Sequence, residues 1–100
     1  ADGGSIINVS STAAVAPSGS ELPYAIAKAG VHNLTKGLAR VYAPKVRTNC
    51  IMPGPFLTVV SAAWTDEVKA ELNAAVPMGR SGDPGEIIGA ALYLASEASS

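Results

Sequence analysis

The distribution of apolar and polar residues along the first half of the chain predicts two strands joined by a long helix. Residues 5–10, SIINVS, are apolar and β-rich with little alternation, which predicts a strand buried on both faces, as in parallel sheets. Residues 46–52, VRTNCIM, alternate and predict a second strand. Between them, from about residue 22 to 43, apolar positions recur every three or four residues and predict a helix with one apolar stripe: Val31, Leu34, Leu38 and Val41.

Two prolines set the limits of this helix. Pro23 is tolerated only in a first helical turn, and Pro44 ends the helix. A strand, a helix of about twenty residues and a second strand form a βαβ unit, which is expected to be parallel and right-handed.

The second half of the chain begins with a forced turn. Pro53, Gly54 and Pro55 lead the chain out of the second strand into a loop at the carboxyl end of the sheet, where open α/β sheets bind their ligands. Residues 56–78 then form a lid-like segment with a predicted helix, TDEVKAELNAAV. Thr65 is its expected cap, and its expected buried side is Val68, Leu72 and Ala75.

A last helix is strongly signalled near the end of the chain. Asp83, Pro84 and Glu86 supply a cap, a first-turn proline and an acid at the third helical position, ahead of the apolar run IIGAALYLA.

Composition excludes several classes of partner. The net charge is −1 without a basic run, so neither nucleic acid nor an anionic membrane surface is expected to bind. No apolar stretch approaches the roughly 20 residues of a membrane span. The single cysteine forms no internal disulfide, which favours a reducing, cytoplasmic location, and one His with one Cys do not make a metal site. The chain lacks an initiator methionine and stops after a helix-like run, so we expect a piece of a larger domain.

Candidate chemistry gathers between Ser11 and Lys28. Tyr24 and Lys28 are four residues apart on the predicted helix, so they share one face. Ser11 follows the first strand, and a strand-to-helix loop can fold it over that face. Alternatively, Ser11 is only a strand-end or turn residue, and the other two are an exposed first-turn pair.

Four segments in this order resemble the carboxyl-terminal half of a short-chain dehydrogenase/reductase: INVSS, YAIAK, NCIMPGPFLT and MGRSGDPGEIIGAALYLASEASS. The resemblance implies an α/β fold, a partial Rossmann-type doubly wound parallel sheet built from the βαβ unit, the lid helix and the final helix. Residues 1–100 would be the carboxyl-terminal part of a single NAD(P)-binding domain, with a substrate lid at about 55–78. The family's first half, with the glycine-rich phosphate loop and the residue that selects NAD or NADP, is not expected within this chain.

The resemblance also implies residue roles. Ser11, thirteen residues before Tyr24, would be the catalytic serine, and Tyr24 and Lys28 the catalytic tyrosine and lysine. A tyrosine can exchange a proton with a substrate oxygen, and a nearby ammonium favours its ionised form. The cofactor-binding residues would be Tyr24, Lys28, Pro53, Gly54, Phe56 and Thr58. Thr58 is alternatively only a helix cap in the lid.

The expected function is an NAD(P)-dependent oxidoreductase interconverting an alcohol and a ketone or aldehyde, with Tyr24 as general acid/base. The alternatives are a non-catalytic dinucleotide-binding or sensing protein on the same fold, or an inactive truncated fragment. The expected partners are a small-molecule alcohol or carbonyl substrate and further copies of the chain, in a homodimer or homotetramer assembled through the 22–43 helix.

Other conspicuous side chains have structural interpretations. His32 is expected at a surface or interface, and Cys50 in the core of a strand. Phe56 and Trp64 either line the substrate mouth or pack under the lid. Arg80 and Glu86 are expected to act structurally, through helix capping or a salt bridge.

Overall fold

A computed structural model describes residues 3–57 and 61–100 of the chain. It divides into two units: residues up to 53 together with 89–100 form the first, and residues 54–88 form the second. The first unit contains the sheet, and the second contains the segment that was expected to form a lid.

The first unit is built on a parallel pair of strands. Strand β1 (Gly4–Val9) pairs with strand β2 (Val46–Ile51), with Gly4 opposite Val46 and Val9 opposite Ile51. Helix α1 (Leu22–Tyr42) connects them and carries its proline in the first turn. The predicted βαβ unit is therefore confirmed, and its helix and strand limits lie within one residue of the predicted ones.

Helices lie on both faces of this two-stranded sheet. The side chains of Asn8 and Ser10 are hydrogen-bonded to α1. Ser5, which points to the opposite face because side chains alternate along a strand, donates its hydroxyl to the carbonyl of Leu94 in helix α3 (Ile88–Ala95). Even-numbered positions of β1 thus face α1 and odd-numbered ones face α3, which is the layering of a doubly wound sheet.

The expectation that the first strand is buried on both faces is wrong for the described residues. No residue of β1 is fully buried, and the Val9 side chain remains 54% exposed. Within residues 3–57 and 61–100 the sheet has two strands only, so β1 has a strand neighbour on one side alone.

The apolar stripe predicted for α1 is divided between two environments. Val31 and Leu38 are half-buried, whereas Leu34 and Val41 are 54% and 71% exposed; the fully buried residues of α1 are Ala25 and Thr35. Small side chains let the helix backbone approach the sheet closely. The buried Thr35 hydroxyl accepts a hydrogen bond from the Asn8 side-chain amide. Leu34 and Val41 are left on the outer surface of α1.

Arg47 fastens the end of α3 to β2. Its guanidinium donates to the carbonyls of Leu94, Ser96 and Ser99, at 3.0–3.2 Å, and to the Ser99 hydroxyl at 2.9 Å. The last carbonyls of a helix have no partner within the helix and carry partial negative charge. A planar cation with several donors is well suited to bind them.

The second unit contains helix α2 (Asp66–Ala75), capped as predicted by the Thr65 hydroxyl, which accepts from the Val68 amide at 3.2 Å. The predicted buried side of α2 is wrong in part. Val68 and Ala75 are exposed, and only Leu72 is half-buried. The face turned inward carries instead Lys69, Leu72, Asn73 and, just beyond the helix, Val76.

None of the helices within residues 3–57 and 61–100 combines the length and apolar character that a membrane span requires.

Replacing Arg47 by Ala in the complete natural protein should destabilise the region around the end of α3. Four hydrogen bonds from a charged donor are lost, and we expect a decrease of about 2 kcal/mol in the free energy of unfolding. Urea unfolding followed by circular dichroism measures this. The control is Arg40→Ala, which removes an exposed arginine from the last turn of α1; an equal loss in both variants would contradict the assigned role of Arg47.

Candidate active site

The candidate site lies where β1 and β2 end. The two segments that follow the strands remain hydrogen-bonded to each other. The Ser10 amide donates to the Ile51 carbonyl at 2.8 Å, and the Thr12 amide donates to the Pro53 carbonyl at 3.0 Å. Ser11 and Pro53 are therefore held at the same carboxyl edge of the sheet, the edge where open α/β sheets bind ligands.

Ser11 begins a short 3₁₀ turn, Thr12–Ala14, that packs against α1. Its backbone is extended, and its hydroxyl oxygen accepts a hydrogen bond from the Ala13 amide at 3.1 Å. This cap orients the side chain. Because a hydroxyl can accept and donate at once, Ser11 keeps its hydrogen for a bond to a ligand. The turn role and the predicted catalytic role of Ser11 are therefore compatible.

Tyr24 and Lys28 are brought together on the first turns of α1. The Lys28 Nζ lies 5.6 Å from the centroid of the Tyr24 ring, within the range of a cation–π contact. The Tyr24 side chain is 48% exposed, so its phenol is accessible from solvent. The shared helix face predicted from the four-residue spacing is thus observed.

The Lys28 ammonium is also attached to the end of the strand. Nζ donates to the carbonyl oxygen of Val9, the last residue of β1, at 3.1 Å. An ammonium group has three N–H donors. Among residues 3–57 and 61–100 Val9 accepts from one of them, which leaves two for hydroxyl or carbonyl oxygens of a ligand.

Two contacts at the site were not predicted from the sequence. One is made by the Val9 carbonyl, a backbone group for which residue types give no signal. The other is made by Ser10, expected only as a structural neighbour of Ser11 near the cofactor; it is 4% exposed and donates its hydroxyl to the Lys28 carbonyl at 3.2 Å. A signal for Ser10 does exist: Asn8 and Ser10 are polar residues two apart in an otherwise apolar run, so they share one face of a strand.

The predicted cofactor loop is divided between the two units. Pro53 belongs to the first unit and Gly54 and Phe56 belong to the second, while Thr58 lies outside the described residues. In the second unit Phe56 forms a parallel bridge with Gly82. A Cβ placed on Gly82 would come within 2.7 Å of the Phe56 ring, so this ring packs closely on a glycine.

His32 and Cys50 lie apart from Tyr24. Together with Thr35, Lys36 and Met52 they line an open cavity of about 270 Å³ between α1 and β2. His32 is half-buried, and its Nε2 atom is enclosed without a hydrogen-bond partner among the described residues. It is not a freely exposed surface side chain. Cys50 lies on a strand as expected, but it is half-buried rather than in the core.

Arg80 and Glu86 form the ion pair expected of them, in the second unit. The guanidinium binds both carboxylate oxygens, at 2.7 and 2.9 Å. Glu86 Oε2 also accepts from the Asp83 amide at 2.7 Å, before the 3₁₀ turn Pro84–Ile87. The hydrogen bonds from Arg80 and from the Asp83 amide lower the pKa of Glu86 to about 2, and the pairing raises the pKa of Arg80.

Comparison with known proteins identifies the family. A family model described as enoyl-(acyl carrier protein) reductase matches residues 1–100. The chain is 44% identical over 98 residues to a 3-oxoacyl-(acyl-carrier-protein) reductase of Chlamydia pneumoniae, covering 97% of this chain and 40% of that protein. It is 37% identical to a 7alpha-hydroxysteroid dehydrogenase of Clostridium sardiniense, over 95% of this chain and 37% of that protein.

Solved structures agree with this assignment. A gluconate 5-dehydrogenase from Burkholderia cenocepacia J2315, in complex with NADP and tartrate, matches with a TM-score of 0.92 and 35% identity, covering 98% of this chain and 40% of that one. The chain belongs to the short-chain dehydrogenase/reductase family and has part of its Rossmann fold. It spans about 40% of the length of the relatives it matches.

The Arg80–Glu86 pair predicts a pH dependence of stability. Because folding lowers the pKa of Glu86 from its ordinary value of 4.5 to about 2, the contribution of the pair is present above pH 4.5 and is lost as the pH falls towards about 2. Both side chains are about half exposed, so solvent and salt screen the contribution.

The measurement is the thermal midpoint of the complete protein and its Glu86→Gln variant between pH 7 and pH 2 in low salt. The difference between the two should shrink as the pH falls below about 4.5. A difference that stays constant over this range would contradict the assigned ion pair.

Proposed function

We propose that the protein containing this chain is an NAD(P)-dependent oxidoreductase that interconverts an alcohol and a ketone or aldehyde. The observation that carries this proposal is the placement of Lys28: its ammonium lies 5.6 Å from the Tyr24 ring and is tied to the strand end beside Ser11. This is a proton-transfer group next to a fixed positive charge, at the edge of the sheet where such folds bind ligands.

The residues of the chain supply proton transfer and orientation, and a bound nicotinamide would supply the hydride chemistry. In the reductive direction the Tyr24 hydroxyl gives its proton to the oxygen of the carbonyl substrate, and in the oxidative direction it takes the proton back. The Lys28 ammonium stabilises the tyrosinate left behind. Ser11 donates its free hydrogen to the same substrate oxygen, where negative charge develops.

Several features fit a nicotinamide cofactor. The two unused N–H groups of Lys28 suit the vicinal hydroxyls of a ribose, beside Tyr24. Gly54 is exposed, and a Cβ placed on it would meet no atom of the chain, so packing within the chain does not require a glycine there. A close approach of a ligand to the backbone would require one. Pro53, Phe56 and Thr58 complete the proposed cofactor loop. NAD and NADP are both candidates.

The substrate is proposed at the level of a class. The relatives named above act, by their names, on 3-oxoacyl groups, hydroxysteroids and gluconate, which share a secondary alcohol or its ketone. We propose the same functional group here, in a small molecule enclosed by a lid at about 55–78. The lid and sheet would be parts of one NAD(P)-binding domain.

Assembly and location complete the proposal. The outward apolar residues of α1, including Ile26, Leu34 and Val41, suit helix-on-helix packing in a cytoplasmic homodimer or homotetramer.

Removal of the Tyr24 hydroxyl tests the proposed chemistry. In the complete protein, Tyr24→Phe keeps the ring and its contact with Lys28 but removes the proton donor, so we expect turnover to fall by about 10²–10⁴-fold. Oxidation of NADH and NADPH is followed with a 3-oxoacyl thioester, a ketosteroid and a keto-sugar acid as substrates. Nucleotide binding should persist.

The matched control is Tyr42→Phe, the same change at the other end of the same helix, where the tyrosine is 52% exposed. It should leave turnover unchanged. Full activity of Tyr24→Phe would refute the proposed role, and nucleotide binding by a wild-type protein inactive on every substrate would favour a sensing protein instead.

A methyl group at Gly54 tests the proposed cofactor loop. Gly54→Ala should leave the melting temperature of the complete protein unchanged, because the added Cβ meets nothing within the chain. It should weaken nucleotide binding by about tenfold or more through the loss of close backbone approach. Isothermal calorimetry with NAD and NADP measures the affinity.

Gly82→Ala provides the contrasting control. Its new Cβ would lie 2.7 Å from the Phe56 ring, so overpacking should cost about 1–3 kcal/mol of stability. Unchanged nucleotide affinity in Gly54→Ala would contradict the placement of the cofactor at this glycine.

A further inference from the structure

We propose that Ser10 is a positioning residue for Lys28: its buried hydroxyl holds the Lys28 carbonyl and thereby fixes where the Lys28 ammonium and the Tyr24 ring stand relative to the strand end. This inference rests on the proposed function, because it assigns Ser10 a part in the same site. Ser10 itself is not placed in contact with substrate or cofactor.

Lys28 is held at two points by two consecutive strand-end residues. The Val9 carbonyl accepts from the side-chain Nζ at 3.1 Å, and the Ser10 hydroxyl donates to the backbone carbonyl at 3.2 Å. A carbonyl oxygen has two lone pairs, so that of Lys28 can accept the Ser10 bond in addition to a bond within the helix. The residue is therefore fixed at its backbone and at the tip of its side chain.

A second polar contact one turn further along α1 supports the same alignment. The Asn8 side-chain amide donates to the Thr35 hydroxyl at 2.9 Å, and that hydroxyl donates to the Val31 carbonyl at 2.7 Å. Asn8 and Ser10 lie on one face of the strand, and the carbonyls they reach, directly or through Thr35, lie three residues apart on the helix. Strand and helix are thus joined at two places.

Hydrogen bonds fix this alignment more narrowly than apolar packing can. Ala25, the buried apolar residue of α1, has a small side chain, and apolar contact is non-directional, so its packing does not fix one alignment of strand and helix. A buried hydroxyl instead requires one acceptor within about 3 Å, and a shift of the strand by one residue would turn Ser10 to the other face. Since misplacement of a reacting group by about 1 Å can cost about 10²-fold in rate, such an anchor has a catalytic consequence.

The test compares Ser10→Ala with Ser5→Ala in the complete protein. Ser5 is the matched control because it lies on the same strand and also donates its hydroxyl to a helix carbonyl, that of Leu94 in α3 at 2.8 Å. Both variants lose one such bond, but only Ser10→Ala removes a contact of Lys28, which keeps its bond to the Val9 carbonyl. We expect kcat, normalised to the fraction that binds nucleotide, to fall about 10- to 100-fold in Ser10→Ala, with KM for substrate changed less than about twofold. Ser5→Ala should keep the wild-type kcat.

Hydrogen exchange gives a readout that is independent of activity. In Ser10→Ala, peptides covering residues 24–32 should exchange faster than in the wild type, whereas in Ser5→Ala they should not. Equal kcat and equal exchange in the two variants would overturn the inference. If Tyr24→Phe is inactive at the same time, the proposed function stands without the positioning role.

A second pair of variants covers the case in which Ser10→Ala does not fold. Ser10→Thr keeps the hydroxyl, and Ser10→Val has nearly the same shape without it, so the effect of added volume cancels between them. Ser10→Thr should retain a kcat at least about tenfold above that of Ser10→Val. Equal kcat values in these two variants would likewise overturn the inference.

Discussion

The attachment of Lys28 to the end of β1 is the interaction on which the candidate site depends. A lysine side chain has many rotamers, and ordering it costs conformational entropy. Here the bond from the ammonium to the Val9 carbonyl offsets this cost, and the Ser10 hydroxyl holds the backbone of the same residue. This attachment also sets the position of Tyr24 relative to the strand end, because Tyr24 lies one helical turn before Lys28 on the same face. The distance between phenol and ammonium is therefore set by the strand and the helix together.

Because side chains alternate along both strands, polar side chains lie on both faces of the sheet, where they hydrogen-bond to the helices. On the face towards α1, Asn8 donates to the Thr35 hydroxyl and Ser10 donates to the Lys28 carbonyl. On the opposite face, Ser5 and Arg47 bind carbonyls at the end of α3. Neither helix is held by apolar contact alone, which suits a short chain whose buried side chains are mostly small.

Much of the framework could be predicted from the sequence because local rules decide it. Pro23 and Pro44 limited α1, and the Thr65 hydroxyl marked the start of α2. The packing faces could not be predicted in the same way. The stripe of Leu34 and Val41 is a true apolar pattern, but periodicity does not say whether such a stripe packs on the chain's own sheet or on another surface. The buried positions of α1 are Ala25 and Thr35, because small side chains allow the helix backbone to lie close to the sheet.

The candidate site likewise contains one part that the sequence predicts and one part that it does not. The pairing of Tyr24 with Lys28 was predictable, because a four-residue spacing on a helix fixes a shared face regardless of context. The Val9 carbonyl was not, since every residue has one. The Lys28 ammonium has three N–H donors, and in the described part of the chain Val9 accepts from one of them. While that bond is made, it sets the directions of the other two. An ammonium held in this way presents its remaining donors in fixed directions, so a ligand that binds it does not have to order the side chain first. The strand-end carbonyl is thus a structural reason why a flexible lysine can serve as a fixed element of a binding site.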